Sequence, residues 1–375
     1  MTPVIQTLAD LVRINSVNSS YDGGPGEREV ATYVHQFFQQ RGIETWEQEV
    51  FPGRPNVLAR LPGKNPNRRL VLEAHTDTVS VQGMTIPPFD PVIREGRMYG
   101  RGSCDTKAGL ATMMHALASL KEEGLTPPCE ILLAAVVDEE YSYRGVVKLC
   151  EDLKADAAIV AEPTELRAII ATKGVLRCRI IVHGRAAHSS KPHLGINAIT
   201  GMARVIAAIE ADNARLATLR HPLAGEGTCN IGVIHGGVQV NFVPDRCAIE
   251  IDRRLLPGER ADDAVRQYQS LLQSIPSIQA EVELPLLLVD EGLDTPAQAD
   301  VVRTASRVLT ELGLDPAPGG VPFGCDASKL SRAGIPSIVF GPGSIDRAHT
   351  VDEYIELDQV QLAYEFQRRF LLSFT

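Results

Sequence analysis

Nothing in this sequence approaches the ~20 consecutive apolar residues of a membrane-spanning helix. Its start, MTPVIQTLADLVRINSV, carries Asp10 where a secretory signal would be apolar and lacks a basic lead-in. A membrane partner is therefore not expected, and the cytoplasm is the expected compartment. Cysteine supplies no frame either: the seven (104, 129, 150, 178, 229, 247 and 325) are odd in number, scattered and without a CxxC pair, which excludes a disulfide scaffold and a thiolate zinc site. Any metal must be held by His and carboxylate. Lys and Arg never gather into a phosphate-tracking stripe, and 37 basic against 47 acidic residues leave a net charge of −10, so nucleic acid is a poor partner. Catalytic signatures are missing too. There is no GxSxG elbow for a serine hydrolase and no Gly-Lys-Ser/Thr for a P-loop. Gly341-Pro342-Gly343 is followed by Asp346 where a dinucleotide fingerprint needs its third glycine.

What is present is an ordinary globular composition, 44% hydrophobic and 22% charged. At 375 residues the chain is longer than one core sustains, so two domains are expected. Helical apolar spacing covers residues 3–20, 26–42, 107–123 and 143–153. Strand-like runs cover 55–61, 69–75, 130–137 and 157–161, and this alternation predicts a mostly parallel, doubly wound α/β sheet. From residue 174 the order becomes strand, helix (195–216), two strands, helix (259–274) and a strand at 278–289. That βαββαβ order predicts an inserted ferredoxin-like α+β domain. A helix at 296–312, a strand in PSIVF and a helix from about 351 resume the first pattern. The expected division is 1–173 with 290–375 around an insert of 174–289.

Several of the apolar runs end in a metal-binding side chain. His75 and Asp77 follow RRLVLEA, Glu139 and Glu140 follow EILLAAVVD, Glu162 follows DAAIVA, and His349 comes shortly after PSIVF. In an open α/β sheet the carboxyl ends of the strands share the ligand-binding edge. Each residue alone has a plainer reading. His75 and Asp77, taken alone, form a surface pair more often than a ligand and its orienter. Asp105, ahead of an apolar helical stripe, is an N-cap or a ligand. Adjacent Glu139 and Glu140 are a solvated loop unless the strand buries them, in which case repulsion and lost hydration call for a cation. His349 is a ligand or a surface His before a helix that Thr350 would cap with Glu353. Together, His75, Asp105, Glu140, Glu162 and His349 suit two borderline divalent cations such as zinc, with cobalt as an alternative; an Asp shared between them implies a spacing of ~3.5–4 Å.

The segments EAHTDTV, GRGSCDTKAG, VVDEE, AEPT, GRAAHSS, GGVQVNFVPD, DRRLLPGE and GPGSIDRAHTVDEY, in this order, resemble the zinc-dependent amidohydrolases that include acetylornithine deacetylase, succinyl-diaminopimelate desuccinylase, aminoacylase and glutamate carboxypeptidase. The resemblance implies one metal on His75 and Glu162, a second on Glu140 and His349, and Asp105 bridging them. It further implies Glu139 as general base, Asp77 as orienter of His75, and a cis peptide bond after Asp105. The inserted domain would be lid and homodimer interface, with His188 reaching the partner subunit's site to stabilise an oxyanion. Asn241 would bind the substrate amide region, and Arg254, or its neighbour Arg253, the substrate carboxylate. The implied reaction is hydrolysis of a small N-acyl amino acid, or a dipeptide, by metal-activated water, Glu139 passing the proton to the leaving nitrogen. Tyr141, Tyr143 and Arg144 stand where relatives commonly carry a small Gly-rich turn, which bears on the substrate pocket.

Overall fold

The apolar runs that precede the candidate ligands become neighbouring strands of one sheet. In the computed structural model, which describes residues 1–375, the spatial order is Glu44–Phe51, Arg54–Leu61, Cys129–Val136, Asn65–His75, Ala157–Val160, Ser337–Val339, Ile169–Thr172 and Gly319–Val321. The four central strands, from Cys129–Val136 to Ser337–Val339, run parallel, and their antiparallel neighbours lie outside them. Every residue of Cys129–Val136 is buried, as a strand covered on both faces requires. Register then sets the site: His75 lies opposite Val136, and Glu73 opposite Val160. Glu162, two residues past Val160, therefore comes level with His75, and Glu139 and Glu140 leave the same edge.

One face of this sheet packs against helices Pro3–Arg13, Arg28–Gln39, Lys107–Glu122, Asp300–Glu311 and Leu357–Ser373. Lys107–Glu122 is buried almost all round. These elements form a first unit, residues 1–170, 295–319 and 325–375. The second unit, residues 171–294 and 320–324, has an antiparallel sheet ordered Thr228–Gly236, Arg246–Leu255, Gly174–His183 and Gln279–Val282. Its helices are Ala198–Leu216 and Ala261–Ser274. Leu176, Cys178, Ile180 and Val182 alternate into that unit's core with Met202, Val205, Ile209, Tyr268 and Leu272. The opposite face carries cross-strand pairs of Arg177 with Asp252 and of Arg179 with Glu250. No helix of the chain is long and apolar enough to cross a membrane.

Four expectations are corrected. The first helix stops at Arg13 rather than residue 20, because Asn15 Oδ1 accepts the Val17 N–H at 3.1 Å and diverts the chain from helical pairing; Val17 then bridges Thr78. The expected strand at 278–289 is two, Gln279–Val282 and Leu288–Asp290, interrupted where Pro285 offers no N–H. The last helix begins at Leu357, since Tyr354–Glu356 first pairs with Arg97–Tyr99. The capping pair is absent: Thr350 Oγ1 donates to the Arg347 carbonyl, and Glu353 is engaged elsewhere. The edge strand Glu44–Phe51 gave no signal because ETWEQEVF is mostly polar and half exposed, as edge strands commonly are.

Candidate metal centre

His75 ends its strand with Nε2 3.0 Å from Asp105 Oδ1 and 4.0 Å from Glu162 Oε1. The other oxygen of Asp105, Oδ2, lies 3.2 Å from His349 Nε2, which is 3.1 Å from Glu140 Oε1. Two donor sets result, His75/Asp105/Glu162 and Asp105/Glu140/His349, with the ligand atoms of each within 4.8 Å of one another. Asp105 belongs to both. Its N-cap reading fails, since the capping position of helix Lys107–Glu122 is Thr106, with no side-chain cap. The Asp105–Thr106 bond is cis. His349 is half exposed with φ +59°, whereas His75, Asp105 and Glu162 are buried.

Asp77 acts on more than His75. The His75 Nδ1 contact is to the Asp77 carbonyl at 3.0 Å, with the carboxylate at 3.6 Å. That carboxylate instead accepts the N–H groups of Glu139 and Glu140, each at 3.1 Å, and Asn18 Nδ2 at 2.8 Å. Asn18 also donates to Asp138 at 3.0 Å, and Arg54 joins Asp138 to Glu27. Asn18, Glu27, Arg54 and Asp138 were not singled out from the sequence. Asp138 shows as a third acid in VVDEE and takes the Ser142 hydroxyl and the Arg144 N–H locally, but Asn18 and Arg54 reach it from 120 and 84 residues away, which no local pattern records. Tyr21 donates to the Glu140 carbonyl at 2.9 Å and meets Tyr141 edge-on, with ring centroids 6.2 Å apart. Tyr143 instead lies beneath Lys329 Nζ, 3.2 Å from its ring centroid.

The centre is an excess of buried carboxylate. Burial, then repulsion from Asp105 and Glu139, raises the Glu162 pKa well above the ordinary range; burial likewise raises those of Glu139 and Glu140. Burial disfavours a charged imidazole, yet the hydrogen bonds to Asp105, joined for His75 by the nearby Asp77 carboxylate and for His349 by a hydrogen bond to Glu140, outweigh it. His75 is raised well above its usual value and His349 to about 11. Asp105 is held low by the same two imidazoles, against burial. Beneath His75, Glu73 and Asp326 are buried together, and burial pushes Asp326 up to about 7. Protons thus stand where cations would balance charge, and the donors are nitrogen and oxygen only. The Cys104 thiol is pushed up by burial and turns to the Ser344 carbonyl. Two imidazoles and three carboxylates in this arrangement fit two zinc-like ions.

The second unit carries the other candidates. His188 is exposed; its Nδ1 accepts the Ser190 N–H at 3.2 Å, which leaves the proton of the neutral ring on Nε2. Ser189 N–H donates to the Asn241 carbonyl at 3.0 Å, so His188 and Asn241 are neighbours. Arg253 is buried, 1% exposed, and bound to Glu259 at 2.9 Å. Arg254 points the other way, partly exposed and paired with Asp252 at 2.7 Å.

Two donor sets that share Asp105 lie at the carboxyl edge of a mixed α/β sheet, a candidate two-metal centre. Residues 71–373 match the model described as Peptidase family M20/M25/M40, and the chain belongs to that family. It is 32% identical over 338 residues to an acetylornithine deacetylase of Myxococcus xanthus, covering 87% of this chain and 83% of that one. It is 28% identical over 393 residues to a probable succinyl-diaminopimelate desuccinylase of Staphylococcus aureus strain MSSA476, covering 94% and 93%. The fold matches the crystal structure of a tripeptidase from Staphylococcus aureus Mu50 with a TM-score of 0.80 at 24% identity, over 99% of this chain and 97% of that one.

Proposed function

We propose that this enzyme is a two-zinc amidohydrolase that cleaves the amide bond of a small N-acyl amino acid. One observation carries the reading: the two oxygens of Asp105 each meet a different histidine, at 3.0 and 3.2 Å, the posture of a carboxylate shared by two ions. His75 and Glu162 would hold the first ion, Glu140 and His349 the second, and Asp105 both. Bound zinc supplies Lewis acidity that polarises the acyl carbonyl and lowers the pKa of water. Glu139 takes the proton from the attacking water and returns it to the leaving nitrogen. Asp77 holds the Glu139 and Glu140 backbone, so base and ligand keep a fixed offset while their side chains divide the labour.

Arg254 reads the substrate carboxylate, exchanging its contact with Asp252 for a bidentate one, and Asn241 binds the amide region. Arg253, spent on Glu259, is left to hold the strand. We further propose a homodimer through the second unit, in which His188 donates Nε2–H to the oxyanion in the partner subunit's site. All seven cysteines are free thiols, which suits a reducing compartment, and we place the enzyme in the cytoplasm. A dipeptidase or carboxypeptidase is the second reading, since a dipeptide presents a similar amide and carboxylate to the same residues. The test is hydrolysis of N-acetylornithine, succinyl-diaminopimelate and a set of dipeptides by protein loaded with zinc or cobalt. Turnover of an acyl amino acid that a chelator abolishes is expected. Turnover confined to dipeptides would select the second reading, and turnover that resists complete metal removal would end both.

A further inference from the structure

Glu353 has no part in the donor sets, yet it is wholly buried, and its side-chain hydrogen bonds go to the loop that carries Asp105. Its Oε1 accepts the N–H groups of Cys104 at 2.9 Å and Asp105 at 3.1 Å, and its Oε2 meets Arg101 Nη1 at 2.6 Å. Arg101 is itself buried, 3% exposed, and anchored to the Ser80 carbonyl at 3.1 Å. The Glu353 carbonyl accepts the Gly100 N–H at 3.0 Å, and the next residues pair with Arg97–Tyr99 as a strand. Glu353 also lies four residues after His349.

We infer that Glu353, oriented by Arg101, is the positioning residue that holds the Asp105 backbone so that one carboxylate serves both donor sets; this rests on the two-metal reading above. The chemistry favours a carboxylate here. Three donors converge on one side chain, and only a group with an acceptor oxygen on each side can serve two peptide N–H groups and a guanidinium together. A glutamine must turn its NH2 toward one or the other. Because Glu353 shares its segment with His349, the same contacts hold the second histidine in step with Asp105. Residues in this outer position around a metal typically cost 10- to 100-fold in affinity when removed.

Metal-free protein is titrated with zinc against a chelating indicator, and its melting without metal is recorded in parallel. Failure of the wild-type chain to take up zinc would count against the two-metal reading itself and so against the inference built on it. With wild-type uptake established, Glu353→Gln is expected to bind zinc about 10- to 100-fold more weakly. Adding Arg101→Met to Glu353→Gln removes the guanidinium and lets the amide oxygen accept both N–H groups again; affinity should return to within a few-fold of wild type. Wild-type affinity in Glu353→Gln overturns the inference, as does weak binding that the added Arg101→Met fails to restore. If Glu353→Gln does not fold, Arg101→Met with Glu353→Met replaces it. That variant lacks the acceptor and should bind zinc at least tenfold more weakly than Arg101→Met with Glu353→Gln, and equal affinities would overturn the inference.

Discussion

The two units hold their candidate residues in opposite ways. In the first, His75, Asp77, Asp105 and Glu162 are buried, and the first three are hydrogen-bonded to neighbours within their own unit. In the second, His188 and Asn241 are exposed, held by the backbone pairing of Ala187–His188 with Phe242–Val243 and by Ser189, Ser190 and Lys191. The contrast separates two tasks. Binding cations in a buried carboxylate cluster requires rigid, closely opposed donors, because a buried charge is tolerable only when its partner stays in place. Meeting a substrate or a second subunit, as proposed for them, requires reachable groups: His188 ends the short strand Ala187–His188, and Asn241 lies in the turn before Phe242–Val243.

The largest test of this division is Glu139→Gln. Turnover should fall by about 10²- to 10⁴-fold while zinc stoichiometry stays as in the wild-type chain, since the proposed base and the proposed ligand are different residues. A variant with near-normal rates would remove Glu139 from the chemistry. His188→Ala should lower turnover by about 10²- to 10³-fold and leave zinc affinity untouched. A drop in zinc affinity there would mean the two tasks are not separate. The smallest effect is on pH dependence. Raised pKa values keep His75 and His349 protonated in the metal-free protein at neutral pH, and zinc requires neutral imidazole. Zinc uptake should therefore release protons, and affinity should weaken as pH falls, by about tenfold per pH unit for each proton displaced. Uptake in weakly buffered solution with no acidification would contradict that protonation state.

How far the site can be read locally differs by residue. Glu162 and the pair Glu139 and Glu140 follow uninterrupted apolar runs, and a parallel sheet brings the ends of such runs to one edge. Asp105 is ambiguous in sequence because a cap and a ligand precede a helix in the same way; the position of Thr106 removes the cap, and two histidine contacts put Asp105 in both candidate donor sets. Glu353 was misread for a related reason. A Thr followed three residues later by Glu resembles a capping box, but a short strand pairing delayed the helix to Leu357 and turned Glu353 inward. Arg253 and Arg254 were indistinguishable until strand register assigned one to the core and the other to the surface, since adjacent strand residues face opposite ways.

By itself the sequence determined the class of fold, which apolar runs end in acids and histidines, and the lack of a CxxC pair or a GxSxG elbow. These are properties of spacing and side-chain type, which a linear pattern contains. Only the tertiary structure decided that Asp77 grips the 139–140 backbone, that Asn18, Arg54 and Asp138 continue that grip, and that Glu353 reaches Asp105. Those contacts join segments about 60 to 250 residues apart, and a hydrogen bond is a matter of distance and angle that no spacing along the chain records.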